Sequence, residues 1–288
     1  MSPTRKPIGV RTLTATLTNP LEAVASLTGV CIHNVGQGDA ISIVDESFSR
    51  VFHIDYGGKQ SSPFKPKTNR VALIDSSMPV DPGRTLMLSH WDEDHWCSAR
   101  MGAKVLSDAH WLVPRQLTSP RAVERSTKVK TIHCLPERFV GRALKFETSQ
   151  GDAVWFEKLG RFVSGASTED CNTTGVAFSI TSRDKEVILL PGDAPYHLVK
   201  HYWHLREAGY RLRGLLAFHH GADTHWEPET EALLRNWPAA RGGQTVVFSY
   251  GDPNTYEHPY RDRYKVLLPA AVLENTPQAA SGLVSILF

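Results

Sequence analysis

Cysteine is scarce and scattered. The four are Cys31, Cys97, Cys134 and Cys171, and no two form a CxxC pair. That excludes a zinc ribbon and a dense disulfide framework, and reduced structural thiols fit best. Long apolar runs are also missing. No stretch approaches 18 apolar residues, and the opening MSPTRKPIGVRTLTATLTNP has no apolar core of a secretory leader. The expectation is a soluble, cytoplasmic protein with no membrane segment. Net charge is only +2, so the totals argue neither for nor against nucleic acid. No Pro/Ser/Gly-rich linker divides the chain. With 288 residues and 41% hydrophobic content, one large domain is expected at residues 30–288. Residues 1–29, Thr-rich and punctuated by proline, read as an arm or added element.

What is abundant is concentrated. Residues 86–96 read LMLSHWDEDHW: an apolar strand, then His90, Asp92, Glu93, Asp94 and His95 within six positions. Charges packed this closely repel one another and resist burial unless something binds them. One or two divalent cations remove the conflict. Zinc accepts imidazole and carboxylate donors, as do manganese and iron. The bland alternative is an exposed acidic turn with incidental histidines.

Further stretches repeat the design of donors placed after an apolar strand. VCIHNVGQGDAISIV (30–44) predicts a hairpin with a glycine turn carrying Gln37 and Asp39, and VFHIDYGG (51–58) predicts the next strand. His53 on that strand reads as a satisfied core histidine. Residues 171–193, CNTTGVAFSITSRDKEVILLPGD, predict a second hairpin that ends at Asp193. An aspartate there is otherwise often a helix N-cap, and PYHLVKHYWHL follows it as an expected helix. LRGLLAFHHGA (212–222) ends in His219 and His220, and TVVFSYGDPNTYEHPY (245–260) carries Asn254, Tyr256 and His258. GLVSILF predicts a closing strand. A helix is expected directly after His95. Between residues 100 and 145 lie ten basic residues against three acidic ones, a local balance of +7, which reads as a solvated surface or a phosphate-facing patch.

Together these stretches resemble the metallo-β-lactamase superfamily. H-x-D-x-D-H is similar to its metal motif with Asp at the second position. NVGQGDA, the Asn172 strand, LLPGD, HHGA and S-x-G-x-x-N-x-Y-x-H-P resemble the hydrolase domain of ComEC-like DNA-uptake proteins and their stand-alone relatives. Asn34, Gly175 and Ala222 depart from the usual Asp, Ser and Ser. The resemblance implies an α/β fold, a four-layer αββα sandwich. It implies two divalent ions, Zn or Mn: His90 and Asp92 on the first, Asp94 and His95 with His220 or His219 on the second, and Asp193 bridging. It places Gln37, Asp39, Asn172 and Asn254 near the substrate. Paired ions lower the pKa of a shared water and neutralise a phosphate transition state. Asp94 would orient that water, and His258 or Tyr256 would stabilise the leaving oxygen. His110 and His133 are the histidines available for an extra ligand. The function expected is hydrolysis of phosphodiester bonds in a nucleic acid or nucleotide, with a protein partner or self-association left open. The alternatives are hydrolysis of a lactone, thioester or β-lactam, and a non-catalytic interaction module that retains the fold.

Overall fold

The computed structural model of the chain describes residues 19–58, 78, 80–101, 104–116, 119–161, 171–224, 226–251, 259–279 and 281–288. Within them, fourteen strands form two sheets of seven. The first sheet holds β1 (Leu27–His33), β2 (Ala40–Asp45), β3 (Arg50–Tyr56), β4 (Thr85–Met87), β5 (His110–Pro114) and β6 (Thr131–Leu135). The second holds β7 (Ala143–Glu147), β8 (Ala153–Lys158), β9 (Val176–Thr181), β10 (Glu186–Leu190), β11 (Arg211–Leu216), β12 (Thr245–Phe248) and β13 (Val272–Asn275). The last strand, β14 (Leu283–Leu287), returns to pair antiparallel with β1 and closes the first sheet. Pairing is antiparallel across β14-β1-β2-β3 and parallel across β3-β4-β5-β6. The second sheet repeats this, antiparallel from β7 to β10 and parallel from β10 to β13.

Strand alternation sorts the side chains into layers. Val30, Ile32, Ile41, Ile43, Phe52 and Ile54 of the first sheet meet Phe146, Phe156, Phe178, Ile180, Ile188 and Leu190 of the second in one core. Fully burying each such side chain contributes about 2 kcal/mol. Outside the first sheet, Val105 and Ala122 of the helices Val105–Asp108 and Pro120–Ser126 cover Leu86, Trp111 and Val113. Outside the second, the helices Lys200–Glu207, Pro228–Leu234 and Arg261–Leu267 cover Leu189, Leu215 and Val246. The result is the expected four-layer αββα sandwich. No helix among the described residues is long and apolar enough to cross a membrane.

Both expected hairpins and the closing strand are present. The helix expected after His95 is not. Residues 93–95 and 97–101 form separate 3₁₀ turns before the short helix Val105–Asp108. Cys97 Sγ and Ser98 Oγ donate to the carbonyls of Gly58 and Gly57, so these side chains bind a neighbouring turn and not a helix of their own. Upstream, the first strand begins at Leu27, ahead of the boundary expected at residue 30. Leu21 and Val24 lie in the core between the sheets, and Leu27 N–H donates to Asp152 Oδ2 at 2.7 Å. The described part of the leading segment is therefore built into the sandwich.

Candidate metal centre

The antiparallel-to-parallel switch falls at β3/β4 in one sheet and β10/β11 in the other. Donors leave the ends of these four strands. Asp55 comes from β3, His90 to His95 follow β4, Asp193 follows β10, and His219 and His220 follow β11.

The loop after β4 is pinned by its tryptophans. Trp96 Nε1 donates to the carbonyl of Trp91 at 2.9 Å, and Trp91 Nε1 donates to that of Pro114 at 3.1 Å. The backbone of Asp94 is gripped from the other side. A Cβ at Gly38 or at Gly57 would lie 2.0 or 1.9 Å from the Asp94 carbonyl oxygen, which accepts from Gly58 N–H at 3.0 Å. The glycines of both turns are needed because that carbonyl occupies the space of a side chain. Gly175 is explained in the same way. A Cβ there would meet Ser89 O at 2.7 Å and His90 Cβ at 3.1 Å, so a serine in place of this glycine would have no room.

Four imidazoles converge on Asp193. His90 Nε2 lies 3.5 Å from Oδ2, His95 Nε2 3.2 Å from Oδ1, His220 Nε2 3.8 Å from Oδ1, and His219 Nε2 3.8 Å from Oδ2. Asp92 Oδ2 is 3.6 Å from His90 Nε2, and Asp94 Oδ2 is 3.1 Å from His220 Nε2. His90, His95 and Asp193 form one compact donor group, and Asp94, His95 and His220 form another. His90 Nε2, His95 Nε2 and Asp193 Oδ1 are buried and have no hydrogen-bond partner. Buried polar atoms are normally satisfied, so three orphans aimed at one point mark a place for an ion. The far side of each ring is held. His90 Nδ1 faces Ser89 Oγ at 3.0 Å, His95 Nδ1 faces Asp55 Oδ2 at 2.8 Å, and His220 Nδ1 faces Ser249 Oγ at 3.3 Å. Such outer contacts orient imidazoles toward metals.

Electrostatics agree. Burial and the neighbouring His95 oppose charge on His90, yet Asp193 and Asp92 lift it to about 9. Burial opposes charge on His220 too, and Asp193, Asp94 and Asp39 lift it to about 9. His95 is raised well above the usual range against the same burial, by Asp193 and Asp55. Burial disfavours charge on Asp94, but His220 and His95 hold it at about 2; Asp193 is held well below its usual value by His95, His220 and His90. Protons on imidazoles balance the carboxylates here, and a divalent cation would replace them.

His219 and His220 have φ of 47° and 56°. Consecutive left-handed residues each cost about 1–2 kcal/mol, and they turn both rings toward the sheet edge. His220 is 1% exposed and reaches Asp94. His219 has a side chain 31% exposed and its Nδ1 lies 3.3 Å from Thr224 Oγ1, a hydroxyl two residues beyond Ala222.

Asp39, expected near substrate, is 2% exposed and sits behind the rings. Ser249 donates to it, and its carboxylate lies 3.7 Å from His220 Nδ1 and 3.9 Å from His95 Nδ1. Gln37 is also buried, and its Oε1 accepts from Gly251 N–H at 3.3 Å. Both are buried beside the site, and Asp39 forms further donor groups with Asp193 and His220 and with Asp55 and His95. Asn172 lies on the short helix Cys171–Thr174. Gln116 Nε2 donates to the Cys171 carbonyl and Thr174 Oγ1 of that helix, while Gln116 Oε1 accepts from Trp91 N–H. Asn254, Tyr256 and His258 lie outside the described residues. His110 is exposed at the start of β5 and His133 lies on β6, and neither belongs to a donor group among the described residues. Asp193 caps no helix: Pro195 is the N-cap of the 3₁₀ turn Tyr196–Leu198, and Val199 that of the helix Lys200–Glu207.

Sequence reasoning missed Asp55 and Ser89 as parts of the site. Asp55 was detectable as a carboxylate inside the apolar strand VFHIDY, which cannot be buried without partners.

No protein-family model and no curated protein matches the chain. Solved structures of similar architecture include YhfI, a metallo-beta-lactamase fold protein from Bacillus subtilis. It is 11% identical with a TM-score of 0.45, covering 90% of this chain and 98% of that one. Zn(2+)-bound PqqB from Methylobacterium extorquens is 13% identical with a TM-score of 0.43, covering 82% and 85%. An isothiocyanate hydrolase from Delia radicum gut bacteria is 13% identical with a TM-score of 0.41, covering 86% and 95%. At such identities, what this site does has to be read from its own side chains.

Proposed function

We propose that this chain is a hydrolase that works with two divalent ions on phosphodiester bonds of a nucleotide or nucleic acid. The observation that carries the reading is the convergence of four imidazoles on Asp193, with His90 Nε2, His95 Nε2 and Asp193 Oδ1 buried and unsatisfied. His90 and Asp92 would hold one ion, Asp94, His95 and His220 the other, and Asp193 would lie between them. Zinc and manganese suit this nitrogen and oxygen set. Bound there, the pair supplies a water acidic enough to ionise near neutral pH and charge to offset a phosphate.

The chain supplies the rest. Asp94, ionised and fixed by His220, is placed to orient a reacting water. His219, part-exposed at the rim, is placed to contact substrate. The choice of phosphate is supported by the rim. Arg121, 68% exposed, reaches Glu93 inside the metal motif at 3.3 Å, and the exposed Arg115 ends the segment just before Gln116. Guanidinium groups recognise phosphate oxygens in a two-pronged way, as they do carboxylates, so they favour an anionic substrate.

Metal analysis followed by assays with bis-p-nitrophenyl phosphate, p-nitrophenyl acetate and a chromogenic β-lactam tests the reading. Two ions per chain and turnover of the diester are expected, and Arg121→Ala should raise KM about tenfold while kcat holds. Turnover of the ester or lactam without the diester would move the assignment to carbonyl chemistry.

A further inference from the structure

Ser89 sits behind two ligand rings at once. It is 1% exposed, and its Oγ lies 3.0 Å from His90 Nδ1, 3.2 Å from His95 Nδ1 and 2.7 Å from Asp55 Oδ2. A hydroxyl has one hydrogen and two lone pairs. The hydrogen goes to Asp55 Oδ2, a carboxylate oxygen that accepts. The Ser89 backbone N–H donates to the other oxygen, Oδ1, at 2.7 Å, so two bonds lock this serine to this carboxylate. Only acceptor capacity then remains on Oγ.

His90 Nδ1 faces an acceptor and must carry its hydrogen. His95 Nδ1 faces two acceptors, Ser89 Oγ and Asp55 Oδ2, and must carry its hydrogen as well. Each ring, when neutral, presents its Nε2 lone pair to the side where Asp193 waits. His220 is held separately. Its Nδ1 meets Ser249 Oγ, and Ser249 donates to Asp39.

We propose that Ser89 is a positioning residue for both halves of the metal centre. Its one hydroxyl fixes the ligating nitrogen of His90 and of His95 together, so the two ions load as a coupled pair. The proposal rests on the two-ion reading above.

The test is a zinc(II) titration against a competing chelator, with cobalt(II) absorption as a second probe, on wild-type protein and the Ser89→Ala and Ser249→Ala variants. In the wild type both sites should fill together. Ser89→Ala should weaken both ions by tenfold or more and split the cobalt titration into two steps. Ser249→Ala should weaken one ion and leave the other within twofold. A Ser89→Ala protein that keeps both ions at wild-type affinity, or loses one while the other is untouched, overturns the proposal. Should that variant not fold, ring-nitrogen NMR of zinc-loaded wild type decides. Nδ1–H on both His90 and His95 is expected, and ligation through Nδ1 of either overturns it. A wild type that takes up no zinc would instead remove the two-ion reading.

Discussion

On the outer face of the second sheet, His201 donates from Nδ1 to Glu157 Oε2 at 3.0 Å, and its Nε2 lies 3.1 Å from Ser179 Oγ. Glu157 also accepts the His201 backbone N–H at 2.9 Å, one of the free donors at that helix start. In the metal centre, His95 likewise meets a carboxylate and a serine hydroxyl through Nδ1. Composition is the same in both places, and all of these groups are buried. The difference is the far nitrogen. Nε2 of His201 is hydrogen-bonded to a serine, whereas Nε2 of His95 has no hydrogen-bond partner and points at Asp193. Burial also moves His201 down, whereas the carboxylates around His90 and His220 move those rings up against burial. A serine, histidine and glutamate in line are therefore no active site when sealed and satisfied. Unsatisfied buried atoms are what distinguish a place for a ligand.

The largest expected effect separates the two clusters. Asp193→Ala should abolish metal binding, read by elemental analysis, and lower diester turnover by a thousandfold or more. Glu157→Ala should leave the metal content unchanged and cost about 2–3 kcal/mol in a denaturant melt, through a buried imidazole and helix N–H left unpaired. Loss of metal in the second variant would erase the distinction.

Acidity sharpens it next. His90 and His220 have folded pKa values near 9, above the unfolded 6.5, so their stabilisation is full below pH 6.5 and is lost as pH rises through 9. His33 and His53 lie near 3, lowered by burial, so their contribution is present above pH 6.5 and is lost on acidification toward 3. Chelator-treated protein should lose a few kcal/mol between pH 6.5 and 9.5 in thermal melts, and the zinc-loaded protein should not. Equal alkaline loss in both forms would mean that metal does not replace the protons.

Smaller effects follow. His220→Ala should remove at least one ion by metal analysis, while His219→Ala should keep both and change turnover by about tenfold, because its ring is part-exposed at the rim. Smallest of all, His110→Ala with His133→Ala should leave metal content unaltered.

The hairpins and donor-bearing turns were legible because several apolar strands end in clustered charge, a pattern that period-2 alternation exposes, while the sandwich itself was implied by the resemblance to a known superfamily. The sequence reading set Asp94 beside His220 or His219 on one ion, and the structure brings Asp94 to His220 across 126 positions. What stayed hidden depended on direction. Asp39 and Gln37, expected near substrate, turn out to be buried beside the ligand rings, since sequence gives a residue's neighbourhood and not the way its side chain points. Ser89 escaped notice because a lone hydroxyl carries no pattern. The broken helix after His95 was invisible because the carbonyls that capture Cys97 and Ser98 belong to a turn some forty residues earlier.

Each sheet contributes part of the donor set: His90 to His95 from the first half of the sequence, Asp193 to His220 from the second. Neither half owns a complete cage. An ion seated there would act as a clasp between two slabs otherwise joined by greasy contact and a few hydrogen bonds, so scarcity of metal would loosen the whole molecule and not merely idle its chemistry.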